Sequence, residues 1–202
     1  MSLFTAIVLS AKPVTLALPG VRVQGCKQVL RSPTELHAAR LDALAKVQTP
    51  YCFFLDDDDS LPDDYLSVLG ECVAKMQAQG AALAFTKELV RVYQPGKLPE
   101  RYEYESSSPQ YSSELHARTP MLVHHLAVMD TGKAQSAAAG LPRGNFWTEH
   151  MLYWVLGRSG AAYVHRIGYI WNRGPSGFSR DPRTLAAQAF SSRWVNQQRA
   201  LP

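Results

Sequence analysis

The sequence predicts an α/β fold in which strands and helices alternate along most of the chain. Apolar runs of strand length, such as residues 4–9 and 51–55, are separated by segments whose apolar residues recur at helical spacing. Alternating strands and helices are typical of helices packed against a largely parallel sheet. The chain has 202 residues, of which 46% are hydrophobic, so it is long enough to bury a substantial core within one domain.

The overall composition excludes several classes of protein. Mean hydropathy is −0.17, and no stretch approaches the roughly 18 apolar residues that a membrane span needs. The first ten residues carry no basic cluster, so we expect no signal peptide. The three cysteines form no C-x-x-C pair, and an odd count favours a reducing compartment over a disulfide scaffold. We therefore expect a cytoplasmic protein with no membrane partner, in the host cytoplasm if the source is viral.

The first half of the chain contains clear boundary signals. Residues 4–9 are predicted to form the first strand and residues 21–23 a short second one. Ser32-Pro33-Thr34-Glu35 combines a capping serine, a proline at the first helical position and an acid three residues after the serine, which predicts a helix start. Thr49-Pro50 ends that helix, and the apolar strand at 51–55 follows.

The remaining elements follow from periodicity and from glycine or proline breaks. Residues 94–118 are rich in Pro, Glu, Tyr and Ser, and we expect them to form a long loop. The other predicted elements are a helix after Pro62 that ends at Gly80, strands at 81–85 and 89–93, helices at 131–139 and 148–158, a strand at 161–171, and a last helix that begins at Asp181-Pro182.

Four adjacent carboxylates, Asp56 to Asp59, follow the apolar run directly. Like charges this close repel one another, and a cation among them removes the repulsion. Carboxylate oxygens suit hard ions such as Mg²⁺ or Mn²⁺. Ligands of open α/β sheets collect at the carboxyl ends of strands. The run therefore predicts a metal-assisted site for a phosphate-bearing ligand; a charged loop without an ion is the structural alternative.

Charge is distributed unevenly along the chain. Residues 158–202 contain seven arginines and one acid, a net +6, whereas the whole chain carries +4. The same segment is aromatic, with Tyr163, Trp171 and Trp194 among its members. Such a segment suits a diphosphate or a polyanion such as DNA. The alternative is a solvated helix face on which arginine stems cover apolar surface.

Several motifs occur in the order typical of one enzyme family. Ala39-Arg40-Leu41-Asp42-Ala43 precedes the strand that ends in the aspartate run, and Pro62 follows that run. Later, Glu149 is followed by Leu at position 152 and Gly at position 160, and an aromatic, arginine-containing and serine-containing stretch spans 169–180. The chain resembles the family-2-type glycosyltransferases of the GT-A fold. The resemblance implies one Rossmann-like domain of the nucleotide-diphospho-sugar transferase type with a mixed central sheet.

The resemblance also implies an activity and a set of site residues. The expected reaction moves a sugar from a nucleotide-diphosphate donor, a UDP-sugar among them, to an acceptor hydroxyl with inversion. Residues 1–93 would form the half that binds nucleotide-sugar and metal, and residues 119–202 the acceptor half. The implied roles are Mn²⁺ or Mg²⁺ binding for Asp58 and Asp56, donor binding for Arg40, Asp56, Asp57, Arg173 and Arg180, and general-base catalysis for Glu149.

Three departures from the family pattern stand out. No aspartate follows the second strand in Val23-Gln24-Gly25-Cys26, where the family often reads the nucleobase. The usual acidic pair is Thr148-Glu149, and no histidine lies near Arg173 to add a metal ligand. Glu149 could alternatively be a solvated acid at a helix start.

The acceptor is the least determined part of this hypothesis. Phe146 and Trp147 precede Glu149 and would form a stacking platform for an acceptor ring, or they would belong to the core. Phosphate contacts from the basic segment, together with such a platform, suit a hydroxymethylated pyrimidine extruded from DNA, as in small phage-type transferases of this class. A polysaccharide or a protein acceptor is the alternative.

Two other function classes compete. The sequence from Leu55 to Leu61 also resembles the first motif of haloacid-dehalogenase-like phosphatases, with Asp56 as nucleophile and Asp58 as acid/base, and Thr86 and Lys133 as later motifs. That family needs a late acidic cluster, and after residue 130 only Glu149 and Asp181 are acidic. A non-catalytic module that binds nucleic acid or carbohydrate through the basic segment would leave the aspartate run unexplained.

Overall fold

The computed structural model describes residues 2–10, 13–27, 33–106, 111–120, 122–124, 126–144, 146–174 and 182–200. Within these residues the strands are β1 (Phe4–Ser10), β2 (Val21–Lys27), β3 (Tyr51–Asp56), β4 (Leu83–Tyr93), β5 (Arg101–Ser106), β6 (Ala127–Asp130) and β7 (Ala162–Arg173). The helices are α1 (Pro33–Leu44), α2 (Tyr65–Gln79), α3 (Ser113–Arg118), α4 (Thr131–Ala139), α5 (Thr148–Gly157) and α6 (Pro182–Arg199).

The strands form one mixed sheet. β2, β1 and β3 are mutually parallel, β6 runs antiparallel between β3 and β4, and β7 lies parallel to β4. β5 pairs antiparallel with the second half of β4. Therefore β1, β3, β4 and β7 all end at the same edge of the sheet, where ligands of α/β proteins collect. The predicted mixed sheet is confirmed.

The central strands are buried on both faces. In β3, Cys52 and Phe54 face a core shared with α1, α4, α5 and α6, whereas Phe53 and Leu55 face a second core under α2. Successive strand residues point to opposite faces. This double burial explains why the segment before the aspartate run is continuously apolar rather than alternating.

Two predictions about the middle of the chain are wrong. The strands expected at 81–85 and 89–93 form one strand, β4, which passes through Thr86-Lys87-Glu88 without a break. The expected loop at 94–118 contains β5 and α3. β5 is almost wholly exposed, so its pairing with β4 decides its structure, and ion pairs from Lys87 to Glu105 and from Arg91 to Glu103 accompany that pairing.

β4 and β7 shift register at Thr86-Lys87-Glu88, next to the edge where the strands end. Gly168 of β7 lies against this irregularity. A Cβ atom at Gly168 would stand 2.5 Å from Thr86 Oγ1 and 2.6 Å from Leu126 Cδ2, too close for any side chain. Glycine is therefore required for β7 to approach β4 here, and that approach places the following residue, Tyr169, beside β3.

The structure bears on the cysteines and on the expected lack of a membrane span. Cys26, Cys52 and Cys72 are all buried and form no disulfide. Across the described residues, no helix combines the length and apolar character needed to cross a bilayer.

Candidate active site

The four adjacent carboxylates separate into different environments. Asp56, the last residue of β3, accepts a hydrogen bond from Arg40 of α1, with 3.0 Å between Nη2 and Oδ1. Asp57 accepts one from the Ser10 hydroxyl at the end of β1, at 2.6 Å. β1 and β3 are parallel neighbours, so their ends bring serine and aspartate together. Each contact relieves part of the repulsion within the run.

Asp59 attaches the run to β7. Its carboxylate accepts hydrogen bonds from the Tyr169 hydroxyl and the Asn172 backbone N–H, both at 2.7 Å. The Asn172 side chain also donates to the Asp58 carbonyl, at 2.8 Å. Burial, together with the nearby Asp56 and Asp58 charges, raises the pKa of Asp59 to about 7, although the two hydrogen bonds oppose that shift. Asp59 therefore has a role in shaping the loop.

Asp58 is the member of the run whose carboxylate, among the described residues, receives no hydrogen bond from another residue's side chain. Burial raises its pKa above the ordinary value, and the Asp56 and Asp57 charges add to that shift. A partly buried carboxylate next to two others is stabilised by a cation. Asp58 is thus the best-placed metal ligand of the four.

Arg40 is buried at the centre of the site. It is 4% exposed, and its guanidinium forms ion pairs with Asp56 on one side and with Glu149 of α5 on the other. The Phe54 ring lies 5.4 Å from it. Burial disfavours the charged form of Arg40, but the two carboxylates outweigh this and raise its pKa. Its observed partners are therefore carboxylates, and contact with a donor diphosphate stays a prediction.

Glu149 has one carboxylate oxygen engaged and one without a partner. Oε1 forms the ion pair with Arg40, while Oε2 is buried without a hydrogen bond to any described residue. Burial raises the pKa of Glu149; Arg40 lowers it in part, and Asp56 raises it further. The side chain is only 16% exposed, so the alternative of a solvated acid at a helix start is wrong.

A narrow cleft at the carboxyl edge of the sheet joins these groups. Asp56 and Glu149, predicted from sequence, face it together with Arg40. The cleft is lined by Arg40, Phe54, Asp56, His124, Glu149, Tyr153 and Tyr169. Sequence reasoning named Tyr169 only as part of the aromatic stretch at 169–180, did not single out Tyr153, and assigned His124 no function. His124 contacts Glu88, which belongs to the polar triplet Thr86-Lys87-Glu88. The sequence prediction treated that triplet as a break between two strands, so it did not consider Glu88 as a buried partner of a histidine.

Of the other predicted site residues, Arg173, Phe146 and Trp147 do not line this cleft. Arg173 stacks over Trp171, with its guanidinium 5.4 Å from the ring, and lines a different groove. Phe146 packs against His37 of α1 and Phe190 of α6. Trp147 donates its backbone N–H to Ser191, at 2.6 Å. Arg180 lies outside the described residues. The acceptor-binding and donor-binding roles of these residues stay predictions.

The residues that the structure describes contain no group of three or more His, Cys, Asp or Glu side chains that could hold a metal ion. A metal here would need oxygen ligands from elsewhere. Mg²⁺ is commonly held by one or two carboxylates plus substrate phosphates. The arrangement of Asp58 beside a partly exposed Asp56 fits such a shared site.

The carboxylates and the buried Arg40–Glu149 pair thus lie together at the carboxyl edge of the parallel strands. A profile described as "Glycosyl transferase family 2" matches residues 24–135, more than half of the chain. The chain therefore belongs to glycosyl transferase family 2, which confirms the resemblance noted from sequence. That membership also removes the support for the phosphatase alternative.

Solved structures support the same fold. The structure of residues 1–349 of S. aureus TarS in complex with UDP-GlcNAc matches with a TM-score of 0.55 and 10% identity, over 88% of this chain and 60% of that one. The same fragment with UDP gives 0.52 and 12%, over 87% and 61%. A further TarS structure gives 0.53 and 10%, over 85% and 37%. The chain thus spans less than two thirds of these proteins. A search of curated protein sequences found no match.

The first prediction concerns the buried ion pair. We expect Arg40→Met to destabilise the fold by about 3–5 kcal/mol, because it leaves Glu149 and Asp56 buried without their partner. Arg91→Met removes an exposed ion pair to Glu103 and should cost no more than about 1 kcal/mol. Urea unfolding of both variants measures the difference.

The pH dependence identifies the cause. Without Arg40 the folded-state pKa of Glu149 rises further above its ordinary 4.5, so the folded state binds the proton more tightly than the unfolded chain. Stability of Arg40→Met should therefore fall as the pH rises from about 4.5 through that folded pKa. Adding Glu149→Gln should abolish much of this fall. An equal penalty at pH 5 and pH 8 contradicts the assignment.

Proposed function

We propose that the chain transfers a sugar from a nucleotide-diphosphate donor to an acceptor hydroxyl, with Glu149 as the general base. One observation carries the proposal: Glu149 Oε2 is buried, has no hydrogen-bond partner among the described residues and belongs to a side chain that lines the same cleft as Asp56. A buried carboxylate oxygen left unpaired is unfavourable unless a ligand satisfies it. The hydroxyl group of the acceptor substrate would donate the missing hydrogen bond to this oxygen.

The residues account for a single displacement. The acceptor oxygen attacks the anomeric carbon of the donor sugar while its proton passes to Glu149 Oε2. The bond from the anomeric carbon to the diphosphate oxygen breaks, and its electron pair leaves with the nucleoside diphosphate. Attack from the side opposite the leaving group inverts the anomeric centre. Burial raises the pKa of Glu149, which strengthens the carboxylate as a base, while Arg40 orients it through Oε1.

The metal proposed for this site is Mn²⁺ or Mg²⁺, held by Asp58 and Asp56 together with donor oxygens. A divalent cation would offset the negative charge that develops on the leaving diphosphate. Asp59 is bonded to β7 and holds the loop in shape, whereas Asp57 accepts a hydrogen bond from the Ser10 hydroxyl and keeps its proposed part in donor binding.

For the donor we propose a UDP-sugar. The TarS fragment matched here was solved with UDP and with UDP-GlcNAc, and its fold is shared with this chain. Asp56 and Asp57, at the end of β3, lie at the edge where a nucleotide would bind. Arg173 and Arg180 belong to the segment after the last strand of the sheet and are proposed to contact the diphosphate.

For the acceptor we propose a polyanion, with DNA as the specific candidate. Arg158, Arg173 and Arg193 lie over aromatic rings at 4.5–5.4 Å, and in the described part of the chain none of them pairs with a carboxylate. By contrast, Arg166 pairs with Asp64 and Glu71, so a phosphate group would have to compete with these two carboxylates to bind it.

A groove beside the aspartate run adds to this support. It has a volume of about 420 Å³ and is lined in part by Arg91, Arg101, Arg173 and Asn172. Asn172 also donates to the Asp58 carbonyl, so the groove adjoins the proposed metal site. A phosphate-bearing chain in this groove would bring its hydroxyl groups near the donor.

The metal proposal predicts that Asp58→Ala abolishes Mn²⁺-dependent release of UDP from UDP-GlcNAc, with little loss of stability, because like-charge repulsion in the run is relieved as the ligand is removed. Asp63→Ala, which removes an exposed acid just after the run, should keep full turnover. Turnover by Asp58→Ala close to wild type, or wild-type turnover in excess EDTA, contradicts the metal assignment.

The base proposal predicts that Glu149→Gln lowers kcat by roughly 10²–10⁴-fold, since the amide keeps the shape but cannot take a proton. KM for the donor should change little. Glu35→Gln, at an exposed acid of α1, is the matched control. A Glu149→Gln enzyme within about threefold of wild type returns Glu149 to a purely structural role.

The acceptor proposal predicts a steep salt dependence of DNA binding. Three to five phosphate contacts weaken binding by roughly 40- to 500-fold between 50 and 200 mM salt, at a log–log slope near −0.9 per contact. Replacing Arg158 and Arg193 by Gln should make the slope shallower, whereas Arg118→Gln should not. No detectable binding to hydroxymethylcytosine duplex at low salt rejects DNA and leaves the transferase proposal intact.

A further inference from the structure

We propose that His124 is a further substrate-contacting residue, which hydrogen-bonds a hydroxyl group in the cleft, and that Glu88 positions it. The inference rests on the proposed glycosyltransferase activity and adds a further polar contact to the site of Glu149 and Asp56. The chemistry it recognises is a sugar-type hydroxyl, whether on the transferred sugar or on the acceptor.

The first support is the pairing of the two side chains. Glu88 of β4 is 7% exposed, and His124 Nδ1 lies 3.2 Å from its Oε1 and 3.1 Å from its Oε2. A carboxylate accepts hydrogen bonds, so Nδ1 carries the proton in this contact. The second ring nitrogen, Nε2, then lies on the opposite edge of the imidazole. A carboxylate that fixes the tautomer and orientation of a histidine is a common arrangement in functional sites.

The second support is the ring's packing. The His124 and Trp171 rings meet in a T-shaped contact, with 4.9 Å between the ring centroids and 69° between the planes. Trp171 belongs to β7, whose parallel pairing with β4 places Tyr169 opposite Glu88. The imidazole is thus held on one side by a carboxylate and on another by an indole, which limits its rotation.

The third support is location. His124 lies just before β6, and the pairing of β6 with β3 and β4 begins only after it. It lines the same cleft as Asp56 and Glu149. The buried Glu88–His124 pair is therefore placed to act on a ligand that enters this cleft.

The test uses four variants of the full chain. His124→Phe keeps a ring beside Trp171 but removes both nitrogens, and His124→Gln keeps a polar group. Glu88→Leu removes the carboxylate, and Glu88→Gln keeps an acceptor for Nδ1. Glu105→Leu, which removes an exposed carboxylate elsewhere on the sheet, is the matched control.

Release of UDP from UDP-GlcNAc with Mn²⁺ is measured with and without hydroxymethylcytosine duplex DNA, alongside thermal unfolding. We expect His124→Phe and Glu88→Leu to lower kcat/KM by roughly 10- to 100-fold, the range for a lost hydrogen bond to a polar or charged partner. His124→Gln and Glu88→Gln should recover much of that loss, and Glu105→Leu should match wild type. Recovery by the conservative variants separates a contact from a packing role.

The two sources of the hydroxyl are separable. Loss both with and without DNA assigns the contact to the transferred sugar, and loss only with DNA assigns it to the acceptor. Wild-type kcat/KM for a folded His124→Phe under both conditions overturns the inference. Glu149→Gln and Asp58→Ala, measured in the same assay, separate failure of the proposed function from failure of this inference. Full turnover by these two variants rejects the proposed function. Inactivity of these two variants beside an active His124→Phe rejects this inference alone.

Discussion

The structure of the site depends on one buried cation, the Arg40 guanidinium. It lies between the carboxylate at the end of β3 and the carboxylate in the first turn of α5, and so joins the sheet to two helices. Burying these charges is unfavourable, and only their mutual attraction in a region of low dielectric offsets that penalty. The ion pairs therefore determine where α1 and α5 can sit relative to the strand that carries the aspartate run.

This arrangement also bears on the proposed role of Glu149 as a general base. Arg40 engages Oε1 of Glu149 and leaves Oε2 without a partner among the described residues. Burial raises the pKa of Glu149, and Arg40 lowers it in part. A base of that kind gains most from an incoming hydroxyl proton donor. The same ion pair that stabilises the packing thus sets the chemistry of the cleft.

The four aspartates of the run have different partners in the structure, which their identical residue type in the sequence could not predict. Asp56, Asp57 and Asp59 each have a defined protein partner, contributed by α1, β1 and β7 respectively. Only when these partners are assigned does Asp58 emerge as the carboxylate that a cation would need. Sequence reasoning chose Asp58 through a family resemblance; the tertiary contacts supply the physical reason.

Local sequence alone determined most of the regular elements and the location of the site. Capping residues, apolar periodicity and the continuously apolar run before the aspartates are local signals, and they predicted the α/β class and most helices. Glu149 was singled out only through the family resemblance. The tertiary structure decided the rest. β5 pairs along the edge that β4 offers it, and β4 continues through Thr86-Lys87-Glu88 where β7 pairs with it. Arg40 meets Glu149 across 109 positions of chain. Such pairings depend on which distant segments fold against one another, and no local pattern records that information.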